Sequence, residues 1–425
     1  MRKAWSALTA RGKTLTLVGL ALTVLTALAG ERDVLVIGLV LLLLPVLTIL
    51  FLSRSRLRIT CERSITPGET TIGSELTGQL SIVQRGRLPM GLVMLEDEVP
   101  AELGERPRFL IEEAGRDWRR TLRYPLKARV RGRYHTGPLR VRLSDPLGLV
   151  DLERHFNATS DVLITPKVYD LEQLRLAGGG GQSGDNRPHR IGVVGQDDVL
   201  VREYRRGDDV RRIHWRSTAR RGDLMVRREE QAWDPSAAII IDNRVTAHAG
   251  NTMTGSFEWA VSAAASIGQH FLDDGFNIEM YHAEGSLNLS RVSGQRESVK
   301  HIMIRDLAEI TTKPTSTLKE GLEIAVADSM GQVVAAIAGR LTAAEAYALA
   351  RARRNRALGM IFLLDVDSFG SGRGGRRVAP PEEVVREREH VREILIGEQW
   401  RVIEVRNDKS VQAAWEELGA MGVSV

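Results

Sequence analysis

Carboxylates follow two stretches of the chain that are predicted to be strands, where an acid could hold a metal ion or move a proton. Asp242 ends the first apolar stretch, and Asp365 and Asp367 follow a later one. A hard cation such as magnesium needs several oxygen ligands around one point. Glycine and serine after Asp367 favour an ordinary loop there. Asp242 is therefore kept as a weak metal candidate, and Asp365 with Asp367 as a metal or acid-base alternative.

Residues 201–230 combine arginines, paired acids and single aromatic residues too densely for a solvated loop and too irregularly for an amphipathic helix. Arginine guanidinium groups bind carboxylates bidentately, which fixes geometry as well as charge. Three interpretations remain open: a structural network, a docking surface for an acidic partner, and a phosphate or nucleic-acid site. We expect the signature or interaction residues to be Arg202, Tyr204, Gly207, Asp208, Arg211, Trp215, Ala219 and Arg220.

The residues themselves allow two possibilities to be weighed further: binding of a nucleic acid and a catalytic use of His214. The interleaved acids would repel a phosphate backbone, so no nucleic acid is expected as a partner. His214 has no matched acid or nucleophile, which favours a packed neutral histidine over a proton carrier. We therefore predict no catalytic residue in the segment, and a structural brace or a docking site remains.

The composition indicates a globular chain with a basic surplus. Its 425 residues suit about two to three domains, and 43 % hydrophobic residues is an ordinary globular value. The formal net charge of +5 suits an anionic partner such as a membrane surface, a nucleic acid or an acidic protein patch. Cys61 is the single cysteine, so an internal disulfide framework is excluded and a reducing interior is expected.

Two apolar runs near the amino terminus, 15–29 and 34–52, predict a helical hairpin in a membrane. Each approaches the roughly 20 residues that cross the hydrocarbon of a bilayer. Basic residues flank the outer ends, so the positive-inside rule places both ends and the soluble domains in the cytoplasm. A cleaved signal peptide would lack the second, longer run. A buried core hairpin would show polar residues at helical spacing, so we predict two spans in the cell membrane.

Residues 57–170 change to apolar alternation punctuated by turns, which is typical of a β-sandwich. Two motifs stand out: Arg-Gly-Arg-Tyr at 131–134 and Ser-Asp-Pro-Leu-Gly-Leu at 144–149. We interpret both as structural corners between strands, because no catalytic partner is nearby. Asp145 is expected to accept hydrogen bonds from backbone donors two residues on.

The last third alternates strands and helices after a glycine-rich stretch that we interpret as a flexible linker. Its predicted strands are continuously apolar, as in a doubly wound α/β sheet that is covered on both faces. Ligands in such folds bind at the carboxyl ends of the strands. Asp242 is expected at one of these ends.

The segment 202–220, from Arg-Glu-Tyr-Arg-Arg-Gly-Asp-Asp to Ser-Thr-Ala-Arg, resembles the signature of the bacterial membrane proteins called the domain of unknown function 58 family. The motifs at 131–134 and 144–149 and the two-span start also resemble that family. His214 stands where the family more often has Asn or Asp before the Trp. That departure argues against a catalytic use of the position.

The resemblance implies a region related to the von Willebrand factor A domain and an association with MoxR-type AAA+ ATPases. A metal site of the von Willebrand type has Asp-x-Ser-x-Ser after the first strand, whereas here Asp242 is followed by Asn-Arg-Val-Thr. Arg244 puts a cation where the first hydroxyl should be, and Gly339 stands where a second acid is usual. Metal binding in that mode is not expected, and no cofactor is predicted.

Our hypothesis is a membrane-anchored, non-catalytic interaction or assembly factor that works with a MoxR-type AAA+ ATPase. The alternative is a metal-dependent binding module or enzyme that uses Asp242 or the pair Asp365 and Asp367. The predicted architecture is a membrane anchor at 1–56, a β-sandwich at 57–170, a linker at 171–200, the signature segment at 201–236 and a von Willebrand factor A-like α/β domain at 237–425.

Overall fold

The fold is taken from a computed structural model of the chain. It describes residues 5, 7–54, 59–85, 92–111, 117–145, 147–173, 201–204, 213–227, 236–250, 254–287, 296–314, 317–327, 333–353, 358–370 and 380–421. The predicted glycine-rich linker lies almost wholly outside these residues.

Two long apolar helices open the fold: α1 at Ala10–Ala29 and α2 at Arg32–Arg54. Thr9 caps the start of α1, and Gly30, with a φ of 79°, reverses the chain between the helices. The two helices pack closely because Gly19 and Gly38 lie at their contact: a Cβ on Gly19 would stand 2.6 Å from the backbone nitrogen of Leu42. Both helices are long and apolar enough to cross a membrane, and many of their large apolar side chains are exposed.

Ten strands follow the helices and form three sheets. They are β1 at Ile59–Thr66, β2 at Glu69–Thr71, β3 at Glu75–Arg85, β4 at Leu92–Asp97, β5 at Arg108–Ile111, β6 at Asp117–Lys127, β7 at Gly132–Thr136, β8 at Leu139–Ser144, β9 at Asp151–Phe156 and β10 at Ser160–Thr165. The sheet orders are β1-β3-β6, β2-β10-β7 and β5-β4-β8-β9, and every pairing except β2 with β10 is antiparallel. Side chains of all three sheets share one apolar core. We call this region the β domain.

The signature region contributes three short elements: β11 at Val201–Glu203, α3 at Trp215–Arg221 and β12 at Met225–Arg227. The strands pair antiparallel, with Arg202 opposite Val226.

The last part of the chain is a doubly wound α/β unit. Its strands are β13 at Ser236–Ile241, β14 at Asn277–His282, β15 at Gly285–Ser286, β16 at Val333–Ala338, β17 at Leu358–Leu364 and β18 at Arg401–Val405. Its helices are α4 at Ser256–Asp273, α5 at Arg296–Glu309, α6 at Lys319–Ala327, α7 at Ala343–Ala352, α8 at Val366–Phe369, α9 at Glu382–Gly397 and α10 at Val411–Ala420. The sheet order is β15-β14-β13-β16-β17-β18, and only the short edge strand β15 runs antiparallel. Apolar clusters cover both faces.

The turn after β8 holds the start of α1 against the β domain. Asp145 accepts hydrogen bonds from the backbone N–H groups of Leu147, Leu149 and Val150, so the predicted role of this acid is confirmed. The turn then pairs with the residues before α1: Thr9 N donates to Leu149 O at 3.0 Å, and Asp151 N donates to Ala7 O at 2.8 Å. The motif at 144–149 is therefore more than a corner between strands, because it also docks the apolar hairpin.

Arg131 joins the β domain to the α/β unit. Its side chain is 5 % exposed and its Nε donates to Glu258 at 3.0 Å. Its NH1 group donates to the backbone carbonyls of Leu307, Ala308 and Ile310 at 3.0, 3.2 and 2.5 Å. The last carbonyls of a helix lack partners within the helix, so the end of α5 is a natural acceptor for a cation. The interpretation of 131–134 as a corner within the β domain was incomplete, because Arg131 is buried in the neighbouring unit.

We predict that Gly12→Leu detaches α1 from the turn. A Cβ at this position would overlap the carbonyl oxygen of Leu149, so the side chain must push the helix away and break the backbone pairing. Amide hydrogen exchange of Asp151, measured on the full chain in detergent, should accelerate on the order of tenfold, equivalent to about 1.4 kcal/mol. Ala21→Leu adds a similar side chain on an exposed part of α1 and should leave this exchange rate unchanged. Equal rates in the two variants would show that the turn does not hold the helix.

We predict that Arg131→Met lowers the free energy of unfolding by about 3–5 kcal/mol at neutral pH, because it leaves the Glu258 carboxylate buried without a cation. Burial raises the pKa of Glu258 above its ordinary value, although Arg131 opposes that rise. An acid with a raised folded-state pKa stabilises the fold below its unfolded pKa and loses that contribution as the pH rises. Removing Arg131 enlarges the shift, so the deficit should shrink as the pH falls through the raised pKa of Glu258 in the variant, and it should be smallest below the ordinary value of 4.5.

Arg133→Met is the matched control for this prediction. Arg133 pairs with Glu309 across the same junction, but the two side chains are 36 % and 46 % exposed. Its loss should change the unfolding free energy by about 0–1 kcal/mol. Denaturant titrations of both variants between acidic and neutral pH provide the measurement. A deficit in Arg131→Met that does not depend on pH would exclude Glu258 as its cause.

Candidate functional site

The carboxyl ends of β13, β16 and β17 meet at one edge of the α/β sheet. The strand order reverses at β13, which has β14 on one side and β16 on the other, and such switch points are where ligands bind in doubly wound folds. Asp242 follows β13, Gly339 follows β16 and Asp365 follows β17. The structure thus places the predicted acids along one edge, as expected.

Arg244 neutralises Asp242 by a bidentate ion pair. Asp242 is fully buried, and it accepts from Arg244 Nε at 2.9 Å and from Arg244 NH2 at 2.8 Å. The same guanidinium group donates to Glu345 on α7 and to the backbone carbonyl of Arg340 at 3.0 Å. Burial alone would lower the pKa of Arg244, but the hydrogen bonds and charge of Asp242, together with Glu345, outweigh it and raise the pKa. Arg244 therefore remains charged and sits between two carboxylates.

The residues at this edge do not fit a magnesium ion of the von Willebrand type. The oxygens of Asp242 that would bind the ion accept from a guanidinium group instead. At Gly339 a Cβ would overlap the carbonyl oxygen of Ala247, so the acid that is usual at this position has no room. In the part of the chain that the structure describes, no group of three or more His, Cys, Asp or Glu side chains is placed to hold a metal ion.

Asp365 and Asp367 are also paired with arginines. Asp365 pairs with Arg388 of α9, and Arg406 lies 3.9 Å from its other oxygen. Asp367 is in α8 and pairs with Arg340, the residue whose carbonyl accepts from Arg244. The two acids therefore do not converge on a shared point, and each is held by a different arginine.

His248 connects the Asp242 loop to the start of α4, a role that the sequence did not indicate. Its Nε2 donates to the backbone carbonyl of Asp242 at 2.5 Å, and its Nδ1 lies 3.0 Å from Ser256 Oγ. Burial lowers the pKa of His248 despite the nearby charge of Asp242, so the ring is neutral at physiological pH. Its ring packs edge-on against Phe257, over which Arg131 lies at 5.1 Å. A continuous set of contacts thus links Asp242 to the domain junction.

The described half of the signature segment folds on itself. Ile213 bridges to Val226, His214 N donates to Met225 O at 2.7 Å, and Tyr204 N donates to Leu224 O at 2.8 Å. His214 caps α3, its Nδ1 accepting from Ser217 N at 3.2 Å. The expected packed histidine is thus half-buried and serves as a helix cap.

Helix α3 presents an exposed aromatic and cationic face. Trp215 is 68 % exposed, and Ala219 lies one turn later on the same side, since residues four apart are neighbours on a helix. Arg216 and Arg220 form a second exposed pair at the same spacing. Tryptophan and arginine are preferred anchors in protein interfaces.

Three of the predicted signature residues, Gly207, Asp208 and Arg211, lie outside the described residues. For Arg202 only the backbone, in β11, is described. Tyr204, Trp215, Ala219 and Arg220 are described, and the structure brings them together with β12 in one small unit. Arg131 of the β domain is an arginine that braces the two larger units.

The chain has two apolar helices and mixed α/β sheets, and its central part matches a known protein family. Residues 200–365 match the family described as "Protein of unknown function DUF58", so the resemblance of the signature is confirmed over that range. The "Uncharacterized protein YeaD" of Bacillus subtilis (strain 168) is 26 % identical over 192 residues, which cover 44 % of this chain and 45 % of that protein. The chain thus spans about half the length of this curated relative.

Two solved structures resemble small parts of the chain. The CARDB domain of the PF1109 protein from Pyrococcus furiosus, solved with di-metal ions, is 14 % identical, covers 25 % of this chain and 93 % of that one, and has a TM-score of 0.20. A β-glucosidase from Listeria innocua in complex with glucose is 14 % identical over 26 % of this chain and 16 % of that one, with a TM-score of 0.16. At these TM-scores neither likeness bears on fold or function.

We predict that Arg244→Ala lowers the free energy of unfolding by about 3–5 kcal/mol, because Asp242 and Glu345 then lose their shared cation in a buried site. Denaturant titration of the full chain in detergent measures this. Arg340→Ala removes an ion pair whose arginine is 49 % exposed and should cost only about 0–1 kcal/mol.

Addition of magnesium provides a second test of the site at Asp242. Because Arg244 occupies the oxygens of Asp242, magnesium or manganese should not raise the unfolding midpoint of the unmodified chain. A rise that disappears in Asp242→Asn would show that a metal ion can displace the guanidinium group, and would support the metal-dependent alternative.

Proposed function

We propose that this chain is a membrane-anchored, non-catalytic interaction or assembly factor whose partner is a MoxR-type AAA+ ATPase. The observation that carries the proposal is the exposed face of α3, with Trp215 surrounded by Arg216 and Arg220. This face lies inside the segment that matches the DUF58 family. The ATPase as partner rests on the family resemblance, and the face supplies the chemistry that such a partner would meet.

The electrostatics of α3 favour an acidic partner surface. Arginine forks bind carboxylates with two parallel hydrogen bonds, and an adjacent indole ring excludes water from them. The helix has no acidic residue in its first turn, while Arg220 and Arg221 lie in its last turn. A patch of aspartate and glutamate around an apolar pocket on the partner would complement this face.

The paired state of the strand-end acids supports a role without catalysis. A general base needs a group that is free to take a proton from the substrate, and a nucleophile needs a lone pair that is free to attack it. Asp242, Asp365 and Asp367 each hold an arginine, so their carboxylates serve to fix loops at this edge of the sheet. This arrangement favours the interaction hypothesis over the enzyme or metal-module alternative.

The strand arrangement supports a more specific assignment of fold for each of the two soluble units. Counted from β13 in chain order, the α/β sheet runs third, second, first, fourth, fifth and sixth strand, a doubly wound order with an antiparallel third strand. We assign this unit as von Willebrand factor A-like. We assign the β domain as a sandwich, because its sheets enclose one shared core.

The exposed apolar surface of α1 and α2 supports a hairpin that lies in a bilayer. At most 17 % of the residues in either candidate span are buried within the protein, so a lipid environment would cover the remainder. The positive-inside rule then puts both soluble units in the cytoplasm. The α3 face would be available there to a cytoplasmic ATPase.

We predict that Trp215→Ala weakens capture of the ATPase by about 2 kcal/mol or more, roughly thirtyfold in affinity. The full chain is purified from native membranes in detergent, and a photo-crosslinking residue at position 219, which is exposed on the same side of α3 as Trp215, identifies what lies against α3. Mass spectrometry should find an AAA+ ATPase in the crosslink, and the affinity of the purified pair is then measured for both forms.

Tyr347→Ala is the control, because Tyr347 is also an exposed aromatic residue, 50 % accessible, on α7 of the α/β unit. It should leave the affinity unchanged. Trp215 has little buried contact to lose, so its variant should unfold at the same denaturant concentration as the unmodified chain. Undiminished binding by the folded Trp215→Ala form would refute docking through α3.

A further inference from the structure

A groove of about 810 Å³ runs between the β domain and the α/β unit. Ile72 of the β domain, Tyr169 after β10, and Trp259, Phe369 and Val411 of the α/β unit line it. Its size lies within the range of about 300–1,000 Å³ that is typical of ligand sites. Because residues of both units line it, the groove depends on the junction that Arg131 spans.

Three cations stand at the groove: Lys127 at the end of β6, Arg129 after it, and Lys167 after β10. All three side chains are exposed. Across the described ranges, none of the three takes part in an ion pair, and Lys167 lies over the ring of Tyr169 at 4.9 Å. Their charge is therefore directed to solvent and to whatever enters the groove.

Among the described residues that line the groove, Glu258 is the one acid, and its charge is already compensated. Its carboxylate accepts from Arg131 Nε at 3.0 Å, and its side chain is only 16 % exposed. The groove thus carries a net positive charge above an apolar and aromatic floor. An occupant that complements both features must bring carboxylates and apolar side chains together.

We propose that this groove binds an acidic peptide segment of a partner protein, with an aliphatic or aromatic side chain seated between Trp259 and Phe369 and its carboxylates on Lys127, Arg129 and Lys167. A peptide suits the site because cations of the β-domain side and aromatic and apolar residues of the α/β unit line one open groove, and an extended chain can present carboxylates and apolar side chains alternately to the two. The groove is separate from α3, and its occupancy does not depend on the proposed ATPase.

The test uses the full chain in phosphatidylcholine nanodiscs and a fluorescein-labelled peptide that alternates glutamate with leucine and phenylalanine. Fluorescence anisotropy should show binding that weakens as salt is added, because the cations are exposed and screened. Replacing the glutamates of the peptide by glutamine should abolish it. Lys127→Glu with Lys167→Glu should reduce the affinity at least tenfold.

Arg120→Glu with Arg154→Glu is the matched control. It changes the net charge by the same amount on exposed residues of β6 and β9 that do not line the groove, and it should leave the affinity within about a factor of three. Trp215→Ala should also bind the peptide normally, so a failure of the ATPase proposal and a failure of this one are distinguishable.

Two outcomes would overturn the proposal. In the first, Lys127→Glu with Lys167→Glu weakens peptide binding no more than the control, Arg120→Glu with Arg154→Glu. The interaction would then be a general effect of net charge. In the second, the peptide fails to bind, whereas glycerol 1-phosphate, or phosphatidylglycerol supplied in the nanodisc, does bind. The double variant Lys127→Glu with Lys167→Glu would abolish that binding. That result would assign the groove to a lipid headgroup.

Discussion

The guanidinium group of Arg131 is the interaction on which the arrangement of the soluble part depends. It leaves the β domain, enters the α/β unit beside Glu258 and binds three carbonyls at the end of α5. Burial lowers its pKa, and Glu258 partly restores it. A cation taken out of water in this way is stable only while all its acceptors are present. The relative position of the two units, and the groove between them, follow from that requirement.

Arginine and carboxylate pairs recur at several places where the fold buries charge. Arg63 in β1 pairs with Asp97 in β4, both fully buried, and Tyr124 donates to the same carboxylate. Arg244 joins Asp242 to Glu345 at the sheet edge in the same manner. In each case the acid belongs to a loop or a strand end, and the arginine compensates the charge of the buried carboxylate. The arginine surplus that remains exposed, on α3 and around the groove, is where the molecule can meet acidic partners.

Elements with a strong local pattern were predicted well. The apolar stretches that precede Asp242 and Asp365 are the strands β13 and β17, and the two apolar runs near the amino terminus are helices. Helix α5 was missed, because among its residues only Met303, Leu307 and Ala308 are buried and the remaining polar face hides the period. Helix α3 was missed because it is short and has no buried residue, so it leaves no apolar stripe to detect.

The sequence by itself determined the apolar hairpin, the β-rich middle, the alternating α/β unit and the turn at Asp145, since each depends on neighbours within a few residues. Only the tertiary structure decided which carboxylate each arginine holds. Arg244 reaches Glu345 over 101 residues and Arg131 reaches Ile310 over 179, and pairings at such separations leave no periodic trace. The segment 201–230 shows the same division. Its composition marked it as special, while the exposure of Trp215 and the burial of Met225 were set by how the chain folds back on itself.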